Sequence, residues 1–415
     1  MKVLAFSNLY PRAARRTLGT FNRDTFLALA RYCDVRVVSP VPAWSLLRSP
    51  GDIVVPRYET QTGIEALFPA FASIPGVSCL HARGMVASLL PVMERLRERF
   101  PWDAIVAAWV YPDAVAAAQF AERWRTPLVT VGLGTDLNVV PEYFGVRSQI
   151  RRCLSRSARV VAVSHALADR AVELGAPRSR VVVQHNAVDG LAFTPRDKDP
   201  VRRRLELPAG RKIVGYVGNH RKIKGTDVLI EAMAHLVHGL GRADVLLVLA
   251  GDGELTAQLR ARAEALGVSG HVRFVGVRPH DEIPLWMSAF DVLCLPSRRE
   301  GCPNVVLEAL ASGRPVVASR TGGVPEILDG RTGILVPPED PSALASGVAA
   351  ALDRAWDPDS LRASVEYLSW DAVGRRYVAM LSEVLTEEGG APSVSPSRRP
   401  MRARRVFVSS DSSSP

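Results

Sequence analysis

The chain has 415 residues, 47% of them hydrophobic and 23% charged, with a net charge of +10. That balance excludes a disordered or low-complexity polypeptide and leaves room for two or three domains with cores of their own. It contains no membrane-spanning segment by sequence: the most apolar stretch, AIVAAWVYPDAVAAAQF, is interrupted by Pro112 and Asp113.

From the N-terminus, MKVLAFSNLYP opens with an apolar run that ends too early for a signal peptide and alternates like a buried strand. The expectation is a chain made and kept in the cytoplasm. FNRDTFLALARYC has helical spacing, and DVRVVSP is a strand. AIVAAWV, PLVTVGL, RVVAVS and RVVVQHN are near-continuous apolar runs, each followed by Gly, Pro, Asn or Asp. Parallel strands buried on both faces have this pattern. A polar, Pro-containing link near 190–210 follows, and the pattern restarts with KIVGYVGN, the helix TDVLIEAMAHLV, DVLLVLAGDG, HVRFVG, DVLCLPS, RPVVASR and GILVPP. The spacing predicts an α/β chain of two doubly wound, Rossmann-like parallel-sheet domains, 1–190 and 191–370, facing a cleft at the carboxyl ends of their strands. An amphipathic helix at 371–388 closes the folded part. The Ser-, Pro- and Arg-rich tail 389–415 is expected to be disordered.

The tail holds five Arg and one Asp and so carries part of the positive charge. The remainder suits attraction to anionic substrates or to a phospholipid surface, or else a merely solvated Arg-rich exterior. Nucleic acid is not expected, because basic and aromatic residues do not interleave in a recognisable module. The five cysteines (33, 79, 153, 294 and 302) show no C-x-x-C and fit reduced thiols. The triplets DKD (197–199) and DPD (357–359) lie in polar linkers rather than at strand ends, so no metal site is expected.

The segment REGCPNVVLEALASG (299–313) carries two glutamates eight residues apart. Gly301 and Pro303 prevent one helix from holding both. Glu300 is therefore expected on a loop and Glu308 one to two turns inside a helix, with Pro303 in the first helical turn and Gly313 as its stop. Free backbone N–H groups at Asn304 and Val305, with the positive end of the dipole, suit a diphosphate. Carboxylates on either side then suit the hydroxyls at the two ends of a sugar nucleotide. Only five lysines occur, yet Lys222 and Lys224 flank Ile223 just after a strand, in a loop opened by Gly218. That placement favours a phosphate-binding Lys224 over a random solvated charge. Gly19, past the first strand, suits close backbone approach of phosphate or acceptor, or a plain loop. Asp136 suits either an acceptor-orienting group or a helix N-cap.

The motif EGCPNVVLEALASGRPVVAS resembles the E-x7-E region of retaining, GT-B-fold glycosyltransferases of family 4, the group 1 glycosyl transferases. The resemblance extends through TLGTFN, WVYPDAVAAA, LGTDLN, VAVSHAL, HNAVDGLAFTP, GNHRKIKGTDVLIEAM, LAGDGE, VRFVG and TGGVPEIL, nearly the whole folded chain. It implies metal-independent transfer of a sugar from a UDP- or GDP-linked nucleotide diphosphate sugar, with no other cofactor. The acceptor would be a polysaccharide, a lipid-linked sugar or a small molecule, reached by peripheral contact at the inner face of the membrane. The resemblance places Glu308 on the ribose, Glu300 on the transferred sugar, Lys224 with Arg221 on the diphosphate, and Gly19 and Asp136 toward the acceptor. Glu326 would stand near the nucleotide, or simply at a helix start. The chain departs from the family pattern at Ala108, where many relatives have His, at Asn219 in place of Arg, and at Ala187 in place of Gly. These departures keep open an inactive sugar-nucleotide-binding paralogue, beside an epimerase or phosphorylase of the same fold.

Overall fold

The computed structural model describes residues 1–12, 15, 18–48 and 63–389; the tail expected from 389 lies outside them from residue 390 onward. The first sheet has seven parallel strands: β1 (Lys2–Phe6), β2 (Asp34–Val38), β4 (Glu65–Leu67), β6 (Ala104–Ala108), β7 (Leu128–Gly132), β8 (Arg159–Ala162) and β9 (Val181–Val183). Their order is β4-β2-β1-β6-β7-β8-β9. A two-stranded ribbon, β3 (Val41–Pro42) with β5 (Ala70–Phe71), lies beside it. The second sheet has six parallel strands: β10 (Lys212–Val217), β11 (Val245–Ala250), β12 (Val272–Gly276), β13 (Val292–Leu295), β14 (Val316–Ser319) and β15 (Gly333–Val336), ordered β12-β11-β10-β13-β14-β15.

The central strands show why the apolar runs were continuous. Val3, Leu4, Ala5 and Phe6 are wholly buried, as are Ala104 to Ala107, because helices cover both faces of the sheet. Ala5 pairs with Val37 on one side and Val106 on the other, so strand order reverses about β1. The second sheet reverses in the same way about β10, which pairs with both β11 and β13. In such sheets ligands bind at the carboxyl ends of the strands flanking the reversal.

The last helix, Trp370–Glu387, is capped by the Ser369 hydroxyl, which accepts from Ala372 N. It returns to the first domain, where Val373, Tyr377 and Leu381 join the cluster containing Phe26 and Leu29. Each large apolar side chain buried in this way stabilises by about 1.5–3 kcal/mol, so this helix ties the end of the second domain back to the first.

Every strand expected from an apolar run is present. Sequence pattern did not reveal β4, the β3/β5 ribbon, or the long helix His81–Arg99, which has Pro91 in its interior. The strands are too short to show a period, and an internal proline normally argues against a helix. Pro303 differs from expectation by one position: it is the N-cap of helix Asn304–Ala311 rather than part of its first turn.

Candidate functional site

The second domain builds one wall of the site from the loops after β10 and β13. Lys222–Lys224 forms a single 3-10 turn, and Arg298 N donates to Ile223 O at 2.9 Å, joining the two loops. Lys224 Nζ donates to Glu300 Oε1 at 2.8 Å. The Glu300 side chain is only 7% exposed, and that of Lys224 32%. Lys222 turns the other way, to Asp227 at 2.6 Å, where Arg298 also binds at 2.8 Å. Partial burial alone would push the Asp227 carboxyl up, but the Arg298 guanidinium and the Lys222 ammonium outweigh it and hold it at about 2. Of the neighbouring lysines, Lys222 therefore braces the loop and Lys224 faces the glutamate.

Glu308 stands in the second turn of helix Asn304–Ala311 with its side chain 15% exposed, 3.7 Å from His280 Nε2. The neighbouring Glu308 carboxylate raises the His280 imidazole above its ordinary value, against a smaller opposing effect of burial. Asp24 and Arg23, on the first domain's helix Thr20–Ala30, act on the same imidazole, which places Glu308 and His280 on the side facing that domain. His280 belongs to no motif, and nothing in the sequence marks it. A raised folded-state value means that this pair contributes fully below about pH 6.5 and is lost as pH rises through the folded value. Glu308→Gln is expected to return His280 to the ordinary histidine range, as followed by an NMR titration of the imidazole nitrogens.

The helix start is also a domain contact. Asn186 Nδ2 donates to Asn304 Oδ1 at 2.7 Å and to Cys302 O at 3.0 Å. Val305 is half-buried against the core. A Cβ on Gly301 would lie 2.4 Å from Leu133 O of the first domain, so only glycine allows this approach. Glu326 crosses the same boundary. Its Oε2 accepts from His165 N at 2.8 Å and from His185 Nε2 at 2.9 Å, and its Oε1 accepts from Ala166 N at 3.1 Å. A carboxylate from the second domain thus caps helix His165–Glu173 of the first. Glu326 was expected near a nucleotide or at a helix start; it stands in the first turn of its own helix, Val324–Ile327, and reaches from there to the start of the first domain's helix.

On the first domain the outcome differs from expectation. Asp136 is fully buried, and its carboxylate accepts from Val110 N at 2.9 Å, Leu133 N at 3.0 Å and Gly134 N at 2.7 Å. Burial pushes this carboxyl above its usual range, and the backbone N–H groups pull it back. Gly134, not Asp136, is the N-cap of its helix, and the Asp136 oxygens are engaged by backbone donors. Asp136 joins the exits of β6 and β7, because three converging N–H donors claim its oxygens. Gly19 is buried at φ 65, capping helix Thr20–Ala30, and a Cβ there would lie 2.1 Å from Leu9 O. The loop leaving β1 accounts for that glycine without any ligand. Gly218 ends β10 half-buried, and Arg221 is exposed beside it, with no side-chain bond among the described residues. Among those residues no group of three or more His, Cys, Asp or Glu could hold a metal ion.

Residues 23–190 match the model of the family described as Glycosyltransferase Family 4, and residues 211–354 that described as Glycosyl transferases group 1. The chain is 28% identical over 369 residues to a putative teichuronic acid biosynthesis glycosyltransferase of Bacillus subtilis, covering 86% of this chain and 91% of that one. It is 33% identical over 298 residues to a D-inositol 3-phosphate glycosyltransferase of Corynebacterium efficiens, covering 65% and 69%. Sucrose-phosphate synthase from Thermosynechococcus elongatus has the same fold, with a TM-score of 0.76 at 20% identity over 93% of this chain and 99% of that one. Anabaena HepE, solved with UDP, gives 0.71 at 22% identity over 92% and 100%. Two facing parallel-sheet domains with these likenesses make the fold GT-B, and the chain belongs to the family 4, group 1 glycosyltransferases.

Proposed function

We propose that this glycosyltransferase moves a hexose, with retention, from a UDP- or GDP-linked donor without the help of a metal. The observation that carries the reading is the Lys224–Glu300 bond beside a helix start, with Glu308 one turn further along the same helix. Lys224, Arg221 and the N–H groups of Asn304 and Val305 neutralise the leaving diphosphate, charge stabilisation that a pre-set cation and helix dipole supply without reorganising. Glu308 holds the ribose hydroxyls and Glu300 those of the transferred sugar. The acceptor hydroxyl attacks from the leaving-group face, entering past the first domain. Closure across the Gly301–Leu133 contact excludes water. That HepE has been solved with UDP-glucose supports a uridine donor. The relatives' names, teichuronic acid biosynthesis and D-inositol 3-phosphate, support a polysaccharide or a polyol phosphate as acceptor; a lipid-linked acceptor presented at the membrane periphery is part of the same proposal.

The test is a thermal-shift titration against UDP-, GDP- and ADP-sugars, since a ligand that binds only the native state raises its apparent stability. One donor class is expected to stabilise the wild type. Glu308→Ala is expected to weaken that donor by about 1–3 kcal/mol, roughly 5- to 150-fold in Kd, the usual loss when buried hydroxyls lose a partner. An unchanged donor Kd and turnover in Glu308→Ala would remove Glu308 from the donor site.

A further inference from the structure

Large apolar side chains left in solvent are few on this protein, and they are not scattered evenly. Eleven are exposed among the described residues, and five of them, Ile74, Val77, Leu80, Tyr143 and Phe144, come from two short segments. Phe144 is 91% exposed. The two segments touch: Gln149 Nε2 donates to Cys79 O at 2.9 Å and to Gly145 O at 2.7 Å, and a Cβ on Gly145 would lie 3.0 Å from Cys79 Cβ. One segment follows β7, and the other precedes the helix that feeds β6. Both therefore lie at the carboxyl edge of the first sheet, the edge that faces the cleft.

Immediately behind them runs helix Arg147–Arg156, RSQIRRCLSR. Its Ile150, Cys153 and Leu154 are buried, and its four arginines are exposed. A groove of about 650 Å³ continues along this helix, lined by Arg83, Arg125, Arg152 and Arg156 with Gln119 and Gln149. Glu122, at 3.1 Å from Arg156, and Glu388 are the carboxylates in that lining. Glu122 also lies 3.9 Å from Arg152, and Glu142, 3.4 Å from Arg147, is shared with Arg170, so among the described residues two carboxylates meet the helix's four arginines and cations stay in excess along this face.

We infer that this face, with Tyr143 and Phe144 at its tip and the Arg147–Arg156 helix and its groove behind, docks the enzyme on an anionic phospholipid surface. Exposed aromatic rings suit the boundary between headgroups and acyl chains, and arginines behind them meet lipid phosphates. The groove accommodates those phosphates. The face adjoins the acceptor side of the cleft, so docking would present a lipid-linked acceptor to it. The inference deepens the reading of a membrane-presented acceptor given above and is independent of the donor.

The experiment is vesicle co-sedimentation of the full chain, with phosphatidylcholine alone and with equal parts phosphatidylcholine and phosphatidylglycerol. The wild type is expected to bind the anionic vesicles only, and to be released as salt rises from 0.1 to 0.5 M, about a twofold shortening of the screening length. Tyr143→Ser with Phe144→Ser, and separately Arg151→Glu with Arg152→Glu, are each expected to lower partitioning about tenfold or more. Donor-induced thermal shift should be unchanged in both pairs, which shows that they fold and separates this test from that of the donor site. The proposal is overturned if the wild type ignores anionic vesicles, or if both pairs bind as the wild type does. It is equally overturned if binding vanishes only when residues 390–415 are deleted, or if Phe144 instead proves to hold a dimer that the Ser pair dissolves.

Discussion

Lys224→Ala is expected to lower kcat/KM by about 10²–10³, or about 3–4 kcal/mol of transition-state stabilisation, as measured by nucleoside diphosphate release at saturating acceptor. The charge that develops on a departing diphosphate must meet a cation already in place. On the proposed reading Lys224 is that cation, because Lys222 is committed to Asp227. The loss should appear mainly in kcat, since a ground-state diphosphate still has Arg221 and the helix start to bind. Glu300→Gln is expected to depress turnover as well, and the double variant to lose less than the two single losses combined. The reason is that each partner orients the other across 2.8 Å, and residues in one network do not act additively. Retention of wild-type turnover in Lys224→Ala would remove the lysine from the chemistry.

Asp136→Ala is expected to destabilise the fold by about 3–5 kcal/mol, as read from urea unfolding with fluorescence detection. Deleting the carboxylate leaves the N–H groups of Val110, Leu133 and Gly134 buried with no acceptor, and each such orphan costs about 1–3 kcal/mol. Asp136→Asn keeps the shape but offers one carbonyl oxygen for three donors, so it should fall between alanine and wild type. If Asp136→Ala unfolds at the wild-type midpoint yet fails to turn over acceptor, Asp136 belongs to the acceptor site after all.

The sequence by itself determined the strands, because a strand covered on both faces must be apolar at every position, and that property is local. It also separated the two glutamates, since Gly301 and Pro303 forbid a helix across the gap whatever surrounds them. Lys224 stood out by scarcity and position. What the tertiary structure alone decided are choices among partners far apart in the chain. Lys222 and Lys224 are alike in sequence, and only the approach of Arg298 and Glu300, more than 70 residues on, gives one to Asp227 and the other to the glutamate. Asp136 suited either an acceptor-orienting group or an N-cap, and only the meeting of the exits of β6 and β7 gives its carboxylate three backbone donors. Glu326 and His165 are 161 residues apart, and His280 meets Glu308 through a loop with no motif. Secondary structure follows from nearby residues, whereas a buried polar atom takes whichever donor the packing of two sheets brings within 3 Å.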